Sequence, residues 1–213
     1  MENLLNSILE FFEQQDSPIL MALYAGLFTW ILTACGAALV FFFKSTNRKF
    51  LDMALGFTAG VMIAASFWSL IAPAITAVEV QNELGQSSLP SFLPPAIGFF
   101  LGAIFMFILD KTVPHLHIFG KLKEAEGPKT DLKKTSLLVL AIAIHNIPEG
   151  LAVGVAFGAL FIPEFANVYT LGAAIALGIG IGLQNFPEGF AVSMPVRRAG
   201  LSRRKSWFWG QLS

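Results

Sequence analysis

Charge and cysteine are what this sequence has least of. Only 13% of its 213 residues are Asp, Glu, Lys or Arg, against about 25% in an average soluble domain. A single cysteine, Cys35, excludes a disulfide within the chain and a thiolate metal cluster, and its place inside an apolar run makes it a packing residue. No Lys or Arg occurs between residues 50 and 110 or between residues 135 and 196. An acid buried in either stretch therefore has no cationic side chain from its own segment to pair with. There is no P-loop sequence, which excludes the usual nucleotide-driven pump, and no H-E-x-x-H, which removes the usual signature of a membrane metalloenzyme. The chain reads as no enzyme.

What is abundant is apolar length. Hydrophobic residues make up 55% of the chain, and the mean hydropathy is +0.67. They are clustered in runs that predict five membrane-spanning helices at roughly 19–43, 53–78, 95–113, 136–160 and 170–196. A span needs about 20 apolar residues to cross the hydrocarbon core. The expected fold is an all-α, polytopic transmembrane helix bundle in a lipid bilayer, one domain over 19–213. Residues 1–18 precede it, with Ile8, Leu9 and Phe12 at helical spacing between acids. That pattern predicts an amphipathic segment lying in the interface, since the basic start of a cleaved signal is missing.

The net charge of zero conceals a strict partition. All 14 basic residues fall in three segments: Lys44 to Lys49, Lys111 to Lys134, and Arg197 to Lys205. The alternate connections carry only acids, Glu79, Glu83 and Glu164, and the N-terminal segment holds Glu2, Glu10, Glu13 and Asp16. Positive charge marks the cytoplasmic side. The expected topology thus places the N-terminus outside and the loop 111–135 in the cytoplasm. The membrane would be a plasma membrane or a bacterial inner membrane.

Two of the predicted spans repeat each other. His145-Asn146-Ile147-Pro148-Glu149-Gly150 matches Gln184-Asn185-Phe186-Pro187-Glu188-Gly189 at an offset of 39 residues, on spans of opposite direction. Inverted repeats of this kind are common in transporters. Each copy sets a glutamate inside an apolar run, where a charge costs about 2.5–3.5 kcal/mol on insertion scales. With no Lys or Arg at hand, the pair fits a cation site better than a salt bridge. His145 and Glu149 are i and i+4, as are Gln184 and Glu188, so each pair shares a helix face. Asn146 and Asn185 lie three residues before the same glutamates. Imidazole with carboxylate suits zinc and related first-row divalent ions, and iron, manganese and cadmium fit the same donors. Pro148 and Pro187 each remove a backbone donor and leave a carbonyl free, a feature tolerated at membrane depth mainly beside a polar cavity.

The pair H-N-I-P-E-G and Q-N-F-P-E-G resembles the signature of the ZIP metal transporters. G-V-M-I-A-A-S-F-W-S-L in the second span and D-K-T-V-P-H-L-H after the third are similar to its GufA-like branch. The resemblance implies an eight-helix fold that carries zinc or another divalent cation towards the cytoplasm. It implies a binuclear centre with His145, Glu149, Gln184 and Glu188 at one metal, joined by the thioether of Met62. Asn146, Asn185 and the two bridging glutamates would hold the second, normally completed by a glutamate of the sixth helix. Asp110, His115 and His117 would receive the departing ion. The sequence ends at Trp207 to Ser213, where a sixth span begins, so it reads as C-terminally truncated against that plan. The alternative is a metal-binding or regulatory membrane subunit that does not transport; a proton-coupled organic-solute carrier would also use the carboxylates. The metal is the cargo and no enzyme cofactor is expected. The expected partners are the ion, lipid and a second copy in a homodimer, with no nucleic acid.

Overall fold

The computed structural model describes residues 2–43, 48–116, 124–130 and 134–212. They form eight α-helices: α1 Glu2–Glu13, α2 Pro18–Ala38, α3 Arg48–Ala65, α4 Ala72–Glu83, α5 Leu93–Thr112, α6 Lys134–Gly158, α7 Leu171–Arg198 and α8 Arg203–Gln211. No strand occurs among the described residues. His117 lies outside them.

Proline sets several of the boundaries. Pro18 opens α2, and Pro94 and Pro95 sit in the first turn of α5, where their missing N–H groups leave no helical bond unmade. Val113 and Ile162 each precede a proline and are extended, which stops the helices before them. A different effect appears at Pro73. The rod from α3 to α4 is continuous but widens into a π-helix over Ser66–Ile71. There the N–H of Ala72 reaches back to the carbonyl of Phe67. Pro73 has no N–H for the carbonyl four residues before it, and the wide turn accommodates the mismatch.

Four helical segments are long and apolar enough to cross a membrane: Pro18–Phe41, Lys49–Glu83, Leu93–Thr112 and Val139–Phe161. They correspond to the first four expected spans. The fifth, α7, has the length, 28 residues or about 42 Å of rise, but not the hydropathy. The reason is its position. It packs most extensively on α2 and also touches α3, α6 and α8, so it faces protein on most sides. Its buried face can therefore hold Gln184, Asn185, Glu188 and Ser193. By contrast α5 buries no residue at all and displays Phe99, Phe100 and Phe107. So continuous an apolar surface suits a nonpolar surrounding, whether lipid or another helix.

Two apolar clusters bracket the bundle. One gathers Phe12, Val153, Phe157, Ile175, Leu177 and Ile181 near the acidic connections, with Phe12 stacked on Phe157 at 5.4 Å between ring centres. The other joins Val40, Leu51, Phe190, Ala191 and Met194 towards the basic end. Between them α2 and α7 nearly touch backbones. A Cβ on Gly36 would collide with the carbonyl of Phe186, and one on Gly189 with the carbonyl of Thr33. Small residues permit such approaches in lipid. We expect Gly189→Ala to lower thermal stability in detergent by about 1–3 kcal/mol, the ordinary cost of overpacking. Gly154→Ala, whose Cβ meets open space, should leave the melting curve unchanged. Heating followed by size-exclusion chromatography reads both.

Candidate metal centre

Glu149 sits midway along α6 and Glu188 midway along α7, on antiparallel neighbours whose Pro148 and Pro187 remain inside continuous helices. The helix crossing brings the two carboxylates to one place. His145 Nε2 lies 3.4 Å from Glu149 Oε1 and 3.7 Å from Glu188 Oε1. One donor atom from each of the three residues falls within 4.8 Å of the others, close enough to share an ion. Both glutamates are buried, while His145 is part-exposed to a cavity.

Amide groups hold Glu149 from the other side. Gln184 Nε2 donates to Glu149 Oε1. Asn185, with its amide oriented to satisfy both ends, donates to Glu149 Oε2 and to the Ile181 carbonyl, each at 3.1 Å. Three oxygens of this group have no hydrogen-bond partner although they are buried: Asn146 Oδ1, Gln184 Oε1 and Glu188 Oε2. A buried acceptor left unmatched costs about 1–3 kcal/mol. Oxygen acceptors collected around two carboxylates and one imidazole fit a divalent cation, which needs acceptors only.

The group divides two cavities. The larger, about 720 Å³, is lined by Thr58, Met62, Asp110, His115, His145 and Glu188 among others. The smaller, about 250 Å³, is lined by Asn146, Glu149 and Asn185 together with Thr29 and Thr33 of α2. Thus Met62 shares a cavity with His145 and Glu188, and the two asparagines share the other.

The larger cavity also reaches a second cluster. Asp110 Oδ1 lies 3.2 Å from His115 Nε2, and His115 Nδ1 lies 2.9 Å from the Val113 carbonyl. The carbonyl and an ionised carboxylate both only accept, so each ring nitrogen of His115 faces an acceptor. Glu126 completes the group, and the sequence reading passed over it. Its backbone pairs with His115 in both directions, at 3.1 and 2.9 Å. Gly127 makes that approach possible: its φ is +79°, and a Cβ there would lie 2.6 Å from the Val113 carbonyl. The one signal in the sequence was this glycine after an acid in a loop, which is too common to single out a ligand.

No family model matches the chain. Individual relatives do. Zinc transporter ZIP11 of Homo sapiens is 38% identical, over 94% of this chain and 78% of its own length. Zinc transporter ZIP11 of Xenopus tropicalis is 38% identical, over 92% and 77%. Zinc transporter ZupT of Escherichia fergusonii is 34% identical, over 92% of this chain and 68% of its own length. With identity at this level over 92–94% of the chain, the protein belongs to the ZIP family and is a polytopic membrane protein.

Proposed function

We propose that this protein moves zinc, or a related divalent cation, across the bilayer towards the cytoplasm, and that His145, Glu149 and Glu188 form the heart of the path. The observation that carries the reading is the meeting of two buried carboxylates and one imidazole in a bundle core without a Lys or Arg. Relatives named as zinc transporters support the choice of ion. Gln184, Asn146, Asn185 and Met62 surround the three as further donors. Their neutral oxygens and thioether add coordination without adding charge, so the site can release what it binds.

The direction rests on the asymmetry of the bundle. On the side of the acidic connections, only the smaller cavity adjoins the centre, and it shares Val153 and Ile181 with the Phe12–Phe157 cluster. On the basic side, the larger cavity leads from His145 and Glu188 to Asp110 and His115. With basic residues facing the cytoplasm, that cavity is an inward exit. The sequence holds no nucleotide motif, so the driving force in this reading is an ion gradient.

Three measurements test this. Elemental analysis of the purified chain after zinc loading should find metal that Glu149→Gln with Glu188→Gln loses; equal metal on both would refute the carboxylate pair. Gln184→Leu, which removes a donor that orients Glu149, should weaken binding about 10–100-fold. For sidedness, a Cys35→Ser background allows single cysteines to be probed with an impermeant thiol reagent in intact cells. Ser87→Cys should label from outside and Ser202→Cys only after permeabilisation, and the reverse pattern would invert the topology.

A further inference from the structure

Four helical threonines return their hydroxyls to their own backbone. Thr29 bonds the carbonyl of Gly26 at 2.9 Å, Thr33 that of Thr29 at 3.1 Å, Thr76 that of Ala72 at 3.3 Å and Thr112 that of Ile108 at 2.7 Å. Thr58, in the middle of α3, does not. Its side chain is buried, with the residue only 5% exposed, and its Oγ1 has no hydrogen-bond partner. Among the described residues, the other buried side-chain oxygens in this condition are on Asn82, Asn146, Gln184, Glu188 and Gln211. Asn82 and Gln211 lie at helix ends. The other three belong to the candidate centre, and Thr58 lines the same cavity as His145 and Glu188.

Thr58 and Met62 are i and i+4, so they share one face of α3, and Thr58 is the turn nearer the basic end. Beyond it the cavity reaches Asp110 and His115. An ion leaving the carboxylates by this route passes two thioether sulfurs, Met62 on α3 and Met106 on α5, and one hydroxyl, Thr58. The two kinds of donor differ in softness: thioethers favour soft cations such as cadmium, and neutral oxygens favour harder ones such as manganese.

We propose that Thr58 is a specificity-determining residue of this path, its hydroxyl oxygen offsetting the preference of the Met62 and Met106 thioethers for soft cations. The inference rests on the transport reading above and adds a residue to it. A hydroxyl can serve the ion directly or through a water in its shell, because it both donates and accepts. Removing it leaves the wall to sulfur and methyl groups.

The test is competition between cadmium and manganese for the purified full chain in detergent, read as bound metal by elemental analysis. Thr58→Val preserves the shape of the side chain and removes the hydroxyl; it should raise the cadmium-to-manganese ratio about three- to tenfold, the scale of one neutral polar contact. Thr58→Ser retains the hydroxyl and should keep the wild-type ratio. Thr58→Ala should behave as Thr58→Val and stands in for it should valine prevent folding. An unchanged ratio in the variants without the hydroxyl, on protein whose metal still depends on Glu149 and Glu188, would overturn this inference and leave the transport reading intact. Wild-type protein that binds neither ion would overturn both.

Discussion

Two carboxylates buried face to face, with no cationic side chain among them, are the constraint around which this bundle is arranged. Leaving Glu149 and Glu188 in an apolar core is unfavourable unless donors or a cation meet them. The protein supplies part of that compensation itself. Gln184 and Asn185 direct amide nitrogens at Glu149, and His145 stands between the two acids. The remaining acceptors, on Asn146, Gln184 and Glu188, are left without protein partners. A centre built this way is short of positive charge, which is the condition a cation relieves.

Bringing the acids together requires helices that approach closely and hold polar residues away from lipid. The contact of α2 with α7 meets the first need, because Gly36 and Gly189 let backbone lie against side-chain-free backbone. The second is met by wrapping α7 in α2, α3, α6 and α8, while α5 carries exposed aromatic side chains instead. Packing and polarity therefore support each other. α7, which lacks the hydropathy of the four spans, is enclosed by protein along much of its length, whereas the strongly apolar α5 buries no residue.

The two ends of the bundle differ in kind. Towards the acidic connections, the smaller cavity adjoins a cluster of stacked phenylalanines and branched aliphatic residues. Towards the basic connections, a large cavity joins the centre to Asp110, His115 and Glu126. The proposed path on that side would alternate donors, carboxylate and imidazole at either limit with thioether and hydroxyl between. Graded donors of this sort would let an ion move without falling into a single deep well.

Local periodicity determined much of what the sequence by itself carried. The apolar runs marked helices and a membrane, the partition of basic residues set an expected topology, and the i to i+4 spacing placed His145 beside Glu149. Each of these depends only on neighbours within a few turns. Three further features depended on tertiary structure. Glu149 and Glu188 stand 39 residues apart, and no spacing says that their oxygens meet on one imidazole; the α6–α7 crossing does. Glu126 comes to His115 through a backbone pair across a loop, which no periodicity encodes. Thr58 resembles any helical threonine until the structure leaves its hydroxyl without the carbonyl that Thr29 and Thr33 find. Helical faces follow from the chain's own geometry, whereas which faces converge is set by how closely side chains allow the helices to pack.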